Sequence, residues 1–299
     1  MKEYEKILIE AVVHNDIIKA KKAATIILES NTSKKDERFC KQTLLKLQNS
    51  PMIMQLPANI SSFATMEDVS QTFINNRYFL SNHEKQLYME IVNSDKVGEI
   101  LSEKRIRYLN ATLLYGESGT GKTTFGRYLA YKLGIPFLYL NFSCLISSLL
   151  GKTGQNIQQV FDYAKQQRCV FMLDELDAIG AERSQKNNDV SEISRIVITL
   201  IQSLDLLEND VILLAATNRY DIIDNAIKRR FSRHHEIKKL CQNERTQFAK
   251  TYLIDCGYNV SDDDILNIIG KSEKQSDIEN MLINYIINQE IKKYENGDL

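Results

Sequence analysis

The fold is decided by the stretch Gly116-Glu117-Ser118-Gly119-Thr120-Gly121-Lys122-Thr123. An apolar run at residues 111–115 precedes it, and a helical pattern that starts at Thr124 follows it. Glycines let backbone N–H groups approach a polyphosphate closely, and a helix N-terminus favours negative charge. The sequence therefore predicts a loop that binds a nucleoside triphosphate. A glycine-rich turn before an ordinary helix is the simpler alternative, but the flanking strand and helix favour the phosphate loop.

Two side chains of this loop carry specific chemistry. Lys122 is expected to reach the β- and γ-phosphates as a compact positive charge. The hydroxyl of Thr123 is expected to help hold Mg²⁺, because this ion prefers hard oxygen ligands. Residues 116–121 and Thr124 complete the predicted phosphate-binding set.

The composition is that of a soluble globular chain that buries a core. The 299 residues are 43% hydrophobic and 26% charged, with a formal net charge of −1. This near-neutral charge gives no global electrostatic reason to expect a nucleic-acid partner. The five scattered cysteines show no spacing typical of a metal site. No apolar stretch approaches the ~20 residues of a membrane span, and no export signal is evident, so we expect a cytoplasmic protein.

The first fifty residues form a unit of their own in the sequence pattern. Apolar residues recur at helical spacing between residues 2 and 49, which predicts three short amphipathic helices. We interpret residues 1–50 as a helical bundle that either only adds stability or docks a partner. Pro51 and Pro57 interrupt the periodicity, so residues 51–66 are interpreted as a connector.

The middle of the chain alternates apolar runs with helical patterns. Continuous apolar runs at residues 137–140, 169–173 and 211–216 predict strands that are covered on both faces, as in a parallel sheet. Together with the strand before the loop and a short strand near residues 235–237, they predict an α/β fold. We assign residues 67–239 to this parallel sheet flanked by helices. The wholly helical pattern of residues 240–299 predicts a helical lid.

Polar side chains follow two of these predicted strands. Asp174 and Glu175 come directly after one buried run, and Asn218 follows the next strand along the chain. Ligands of open α/β sheets lie at the carboxyl ends of the strands. Asp174 is therefore a candidate magnesium ligand, and Glu175 is a candidate base for the water that attacks the γ-phosphate. Asn218 lies beside this pair if its strand inserts between the other two.

In this order the motifs resemble the AAA family of the AAA+ ATPases over about residues 75–299. The resemblance implies a P-loop AAA+ domain with a helical lid, ATP and Mg²⁺ as ligands, and ATP hydrolysis in a homo-oligomeric ring, a hexamer. Arg229 and Arg230 resemble the paired arginines that severing and membrane-scission-recycling members project into the neighbouring subunit's nucleotide site. The residues that carry the resemblance are 116–123, Leu173-Asp174-Glu175-Leu176-Asp177, Ala215-Ala216-Thr217-Asn218-Arg219 and Arg229-Arg230-Phe231.

Some positions depart from the family pattern. Prolines are usual where Glu117 and Ser118 stand, and the pore motif of threading members is present only as Leu149-Leu150-Gly151, without its aromatic residue. We expect ATP hydrolysis to remodel a protein client, with the N-terminal helices as a possible docking unit. The alternative is an ATP-dependent scaffold or switch that recruits a partner without threading it. The missing lid arginine near Ser276 disfavours a nucleic-acid motor.

Overall fold

The computed structural model describes residues 3–13, 17–30, 36–49, 56–57, 59–148, 153–181, 190–207 and 211–295. The strands are β1 (Ala64–Glu67), β2 (Asn110–Tyr115), β3 (Phe137–Asn141), β4 (Cys169–Asp174), β5 (Val211–Thr217) and β6 (Arg233–Glu236). The helices are α1 (Glu3–Val13), α2 (Ile17–Glu29), α3 (Glu37–Asn49), α4 (Asn82–Glu103), α5 (Lys122–Leu133), α6 (Phe142–Ser148), α7 (Thr153–Ala164), α8 (Ala178–Ala181), α9 (Val190–Asp205), α10 (Asn225–Lys228), α11 (Gln242–Asp255), α12 (Asp262–Ile269) and α13 (Gln275–Glu295).

The six strands form one mostly parallel sheet in the order β1-β3-β4-β5-β2-β6. Only β1 runs antiparallel to its neighbour, with Ala64 opposite Leu140 and Glu67 opposite Phe137. Strand β5 lies between β2 and β4, with Leu213 opposite both Ala111 and Phe171. The predicted parallel α/β sheet flanked by helices is confirmed, and β5 holds the inserted position on which the prediction for Asn218 depended.

The continuous apolar runs are explained by helices on both faces of the sheet. Along β5, Leu213 and Ala215 pack into one core, whereas Leu214 and Ala216 pack into another. Side chains alternate between the faces of a strand, so a strand with two covered faces needs an apolar residue at every position. The first core includes residues of α7 and α9, and the second includes residues of α4 and α5.

Strand β1 was not predicted from the sequence. Residues 64–66 fall within the interpreted connector, yet they pair with β3 and bury Ala64 and Met66. The strand is only four residues long, and its alternating pattern is too brief to stand out. Glu67 at its end receives two hydrogen bonds from the Arg127 guanidinium, at 2.8 and 3.3 Å. This pair attaches the edge strand to α5, the helix that follows the phosphate loop.

The helices after β6 have a separate small core. Leu240, Phe248, Leu253, Ile265 and Leu282 are buried together between α11, α12 and α13. Ile237, three residues before Leu240, packs instead into the core of the sheet. The chain therefore passes from one core to the other within these three residues.

The N-terminal helices α1, α2 and α3 pack in sequence order, with α1 against α2 and α2 against α3. Among the side chains of these helices that the structure describes, Ala11, Ala23 and Cys40 are buried. None of the helices in the described ranges combines the length and apolarity that a membrane crossing requires.

Candidate nucleotide site

The backbone of residues 116–121 turns at the carboxyl end of β2 in a way that glycine permits. Gly116 and Gly119 have positive φ angles of 146° and 81°. A Cβ atom on Gly116 would collide with the Ile237 carbonyl oxygen, and one on Gly119 would collide with the Ser276 hydroxyl. Within the loop, the Thr120 hydroxyl donates a hydrogen bond to the Glu117 carbonyl at 2.9 Å. The loop is therefore tightly wound, and α5 begins directly after it at Lys122.

Lys122 lies inside this turn rather than in solvent, with a side chain that is buried. Its ammonium group donates to the carbonyl oxygens of Gly116 and Glu117 and to Oδ1 of Asn218, each at 2.8 Å. Burial lowers the pKa of this lysine from its ordinary value, although Asp174 and Asp177 oppose the shift. The loop and the tip of β5 thus share one cation, a group suited to bridging phosphate oxygens.

The candidate magnesium ligands are in direct contact. The Thr123 hydroxyl donates to Oδ2 of Asp174 at 2.6 Å, which brings α5 and the end of β4 together. Oδ1 of Asp174 accepts the backbone N–H of Glu175 at 2.8 Å. A hydroxyl and a carboxylate oxygen are the donor types that Mg²⁺ prefers, so these two side chains fit the ion.

Glu175 occupies an unusual backbone conformation. Its φ angle is 56°, in the left-handed region that residues other than glycine seldom adopt. Its neighbours hold it there, because the Leu176 N–H donates to the Ala216 carbonyl and the Ala178 N–H donates to the Glu175 carbonyl. Such strain clusters at functional sites. The carboxylate of Glu175 lines the same cavity as Lys122, Thr123 and Asn218.

Sequence reasoning missed the contribution of Asp177. Its Oδ1 accepts the Thr217 hydroxyl at 2.9 Å and the Asn218 N–H at 3.0 Å. Asp177 therefore fixes the end of β5 and with it the direction of the Asn218 amide that contacts Lys122. The only signal was its place in the run Leu173-Asp174-Glu175-Leu176-Asp177, three residues beyond the candidate magnesium ligand.

The lid contacts the phosphate loop directly. The Glu117 carboxylate forms ion pairs with Lys239 at 2.6 Å and with Lys274 at 3.3 Å, and the hydrogen bond from Lys239 is the main cause of its lowered pKa. The Ser276 N–H donates to the Gly119 carbonyl at 3.2 Å. The Glu117 side chain thus contacts Lys239 and Lys274, whereas its backbone carbonyl accepts a hydrogen bond from Lys122.

The cavity continues from the loop toward the lid, where Arg77, Tyr78, Phe248, Gln275 and Glu279 line it. Tyr78 both lines the cavity and packs into the core of the sheet. Its ring packs against those of Phe73 and Tyr128, and its hydroxyl donates to Glu84 at 3.2 Å. This part of the cavity thus extends beyond the loop, between the segment before α4 and the lid.

Arg229 and Arg230 do not join this cluster in the single chain. Arg229 is exposed, and Arg230 makes a two-bonded ion pair with Asp205 at 3.0 and 3.1 Å. A third bond runs from Arg230 to the Ala226 carbonyl at 3.0 Å. Both arginines line a separate hollow with Arg107, at the end of α9. The sequence-predicted pore residues Leu149, Leu150 and Gly151 lie outside the described residues.

Comparison with known proteins agrees with this architecture. Residues 112–239 match the family described as "ATPase family associated with various cellular activities (AAA)". An uncharacterized AAA family ATPase of Sinorhizobium fredii is 29% identical over 208 residues, which are 66% of this chain and 63% of that protein. A proteasome-activating nucleotidase of Methanoculleus marisnigri is 39% identical over 131 residues, or 42% of this chain and 32% of that protein.

A third relative is the ATP-dependent zinc metalloprotease FtsH 1 of Alkaliphilus metalliredigens. It is 35% identical over 182 residues, which are 58% of this chain and 30% of that protein. The chain thus spans between 30% and 63% of the length of these three curated relatives. The residues that match the family, 112–239, contain the phosphate loop, the two acids after β4 and the amide after β5. By its match to the family model and its phosphate loop, the segment of residues 112–239 belongs to the AAA family of ATPases.

Proposed function

We propose that this protein hydrolyses ATP with the help of Mg²⁺. The observation that carries the proposal is the convergence of Lys122, the Thr123–Asp174 pair, Glu175 and Asn218 on one cavity at the carboxyl ends of β2, β4 and β5. Phosphoryl transfer is accelerated mainly by positioning and charge stabilisation, and these residue types supply both.

Each residue has a distinct proposed role. The backbone of residues 116–121 and Thr124 holds the phosphates, and Lys122 exchanges its carbonyl partners for phosphate oxygens. Thr123 and Asp174 hold Mg²⁺, which neutralises charge on the phosphates. Glu175 accepts a proton from the water whose oxygen attacks the γ-phosphorus, so that ADP leaves. Asn218, aimed by Asp177, orients that water next to the γ-phosphate.

The test separates binding from turnover. We expect Lys122→Ala to lose ATP binding, because its cation contacts ground-state phosphates, and Glu175→Gln to keep binding while kcat falls. Isothermal titration with ATP and Mg²⁺ gives the Kd, and phosphate release gives kcat. Lys132→Ala is the matched control, since Lys132 is exposed on the same helix. An equal loss of ATP affinity in folded Lys122→Ala and Glu175→Gln would sink the assignment of roles.

We further propose that the protein works as a homo-oligomeric ring, a hexamer, that remodels a protein client. The support is the family and the relatives named as proteasome-activating nucleotidase and as ATP-dependent protease. In this scheme residues 67–239 form the ATPase domain, residues 240–299 form its lid, and residues 1–50 form a helical unit that docks the client. The change of core between Ile237 and Leu240 supports the second boundary.

A cytoplasmic location fits this proposal. None of the five cysteines forms a disulfide, and two of them, Cys144 and Cys241, are exposed to solvent. Exposed free thiols are typical of a reducing compartment. ATP is abundant in the same compartment.

A further inference from the structure

The amide of Gln275 forms a closed pair with the backbone of Phe79. The Phe79 N–H donates to Oε1 of Gln275 at 3.2 Å, and Nε2 of Gln275 donates to the Phe79 carbonyl at 3.0 Å. Gln275 is the first residue of α13 and is only 7% exposed, so this pair is almost dry. It joins the lid to the segment that precedes α4.

One partner of this pair, Gln275, lines the cavity at its lid side, beyond the phosphate loop. Gln275 lines the cavity together with Tyr78 and with the loop residues Gly121 and Lys122. A Cβ atom placed on Gly121 would lie 3.4 Å from Nε2 of Gln275 and 3.3 Å from the Tyr78 ring. The Gln275 amide is therefore next to the phosphate loop and close to Tyr78, in the same cavity.

The chemistry of the amide is that of one edge of adenine. A primary amide places an N–H donor beside an acceptor oxygen. Adenine places its N6 amino donor beside the acceptor N1 in the same order. The N–H and carbonyl of Phe79 can form two hydrogen bonds with the Gln275 amide or with this edge of adenine. Guanine, held by the same phosphates, offers an acceptor O6 where adenine offers its donor.

We infer that Gln275 occupies the adenine-recognition edge of this site and must leave Phe79 before the base can pair there. This inference rests on the proposed function, because it assumes that ATP is the ligand. Gln275 is thus a specificity-determining residue of the lid. A base that forms both hydrogen bonds to Phe79 displaces Gln275 and leaves the Phe79 N–H and carbonyl paired. A ligand that forms neither bond would leave both buried groups unpaired, so it does not displace Gln275.

Displacement has a measurable consequence for affinity. A protein whose competent state is only fractionally populated binds its ligand more weakly by that fraction. The competent state here is the one in which Gln275 has left Phe79, and it is disfavoured in the wild type by the loss of two neutral hydrogen bonds. Removing the Gln275 amide removes this cost, so ATP binding is expected to tighten by about 5- to 30-fold. Inorganic tripolyphosphate has no base, so its affinity is expected to stay unchanged.

The opposite interpretation makes Gln275 a fixed tether of the lid. Its removal would then loosen α13 beside the loop, where the Ser276 N–H holds the Gly119 carbonyl, and ATP would bind more weakly. The two interpretations differ in the sign of the change. A measurement of ATP affinity therefore separates them.

The experiment uses the full chain and isothermal titration with ATP and with tripolyphosphate, each with Mg²⁺. The variants are Gln275→Ala, Gln275→Met, which keeps the side-chain length without the amide, and Gln247→Ala, an exposed control on α11. We expect both Gln275 variants to bind ATP more tightly than the wild type, with tripolyphosphate unchanged, and Gln247→Ala to match the wild type. Thermal melting checks that each variant is folded.

Two results would overturn the inference. ATP binding that is unchanged or weaker in both folded Gln275 variants contradicts it while leaving ATP as the ligand. Tightening that appears equally for tripolyphosphate contradicts it too, because the effect would then not involve the base. Binding of neither ligand by any variant or by the wild type would reject the proposed function itself.

Discussion

Lys122 has three hydrogen-bond partners within its own chain, and all three belong to groups of the proposed site. A buried ammonium needs such partners, because an unpaired charge away from water is costly. In the proposed function, phosphate oxygens replace the carbonyl partners while Asn218 remains beside the cation. A change at the tip of β5 is thereby transmitted to the phosphate loop through a single contact.

Asp177 offers the sharpest test at the scale of one residue. We expect Asp177→Ala to lower kcat about 10-fold with little change in the Kd for ATP, because groups that orient a catalytic side chain commonly contribute this much. The reason is that Asp177 holds the Thr217 hydroxyl and the Asn218 N–H. Single-turnover phosphate release and ATP titration measure the two quantities.

Asp221→Ala is the matched control for this experiment, since Asp221 is an exposed acid four residues after Thr217, and its ion-pair partner Arg219 is also exposed. A folded Asp177→Ala variant that keeps full kcat would contradict the orienting role. A fall in ATP affinity as large as the fall in kcat would contradict it as well.

Residue types were readable from the sequence, but their backbone conformations and partners were not. The glycines of the loop, Lys122 and Asp174 stand out because only a few residue types perform their chemistry. The left-handed conformation of Glu175 depends on hydrogen bonds to Ala216 and Ala178, which no local pattern encodes. The role of Asp177 depends on β5 lying beside β4.

Among the elements, α4 helps to position Tyr78 at the cavity, because Glu84 in its first turn contacts both Ser81 and Tyr78. Glu84 accepts the Ser81 N–H at 2.7 Å while the Ser81 hydroxyl accepts the Glu84 N–H at 3.3 Å, a reciprocal pair typical of a helix start. Glu84 also accepts the Tyr78 hydroxyl, and it is only 3% exposed. Burial raises the pKa of this carboxyl above its ordinary value.

This raised pKa predicts a pH dependence of stability. A carboxyl whose pKa is higher in the folded chain contributes stability that is present below its unfolded pKa and is lost as the pH rises through the folded pKa. We therefore expect Glu84→Gln to gain stability relative to the wild type as the pH rises from about 4.5 to 7. Urea unfolding at several pH values measures the difference in the free energy of unfolding.

Glu90→Gln, an exposed acid on the same helix, serves as the control and should show no such trend. The expected difference is in the free energy of unfolding between Glu84→Gln and the wild type. If this difference stays constant with pH, or shrinks toward neutral pH, ionisation of Glu84 does not destabilise the folded chain. The backbone bond to Ser81 is retained in the variant, because a glutamine oxygen accepts it as well.

Elements with long apolar runs were predicted well, and short ones were not. Strands β2 to β5 are buried on both faces, so each of them is a continuous apolar run that is easily recognised in the sequence. Strand β1 has four residues and one paired edge, so its sequence carries little signal. The Ser261 side chain accepts the Asp264 N–H at the start of α12, as residues of this type commonly do. The N-cap position of α11 is instead held by Cys241, a residue type with weak cap preference.

For the molecule as a whole, Arg229 and Arg230 lie away from the chain's own phosphate loop. The pair between Arg230 and Asp205 holds the guanidinium at the end of α9, with the Asp205 side chain 49% exposed. This fits the proposal that the arginines act on a neighbouring subunit, because a planar guanidinium at an exposed face is suited to a second phosphate site.

We expect Arg230→Ala to bind ATP normally and to hydrolyse it poorly. A trans-acting arginine is worth about 10³ to 10⁵ in rate in other phosphoryl-transfer enzymes. The wild-type activity per subunit should also rise with protein concentration as subunits associate. Phosphate release across a dilution series, with sedimentation of the same samples, measures both effects.

Arg168→Ala is the control, because Arg168 makes a comparable ion pair with Asp95 elsewhere on the sheet domain. A specific activity that stays constant from monomer to assembly would contradict action in trans. Wild-type kcat in Arg230→Ala would contradict the role of this arginine.

The resemblance predicted the α/β domain and the helical end of the chain, because both follow from patterns within one sequence. The contacts between them were not predicted. Glu117 forms an ion pair with Lys274 that connects the loop to the lid, and a second one with Lys239, just before the lid. Pairs of this kind depend on residues more than 100 positions apart, which a reading of local patterns does not bring together.

The strand order also governs how the chain reaches its final form. Strand β2, which leads into the phosphate loop, pairs only with β5 and β6, about a hundred residues later. Pairings so distant in sequence are slow to form, and domains emerge from the ribosome with their N-terminal end first. During synthesis β2 therefore waits with both edges open until β5 has emerged. We therefore expect the phosphate loop of the nascent chain to form only after β5 has emerged, with the edges of β2 open to wrong pairing until then.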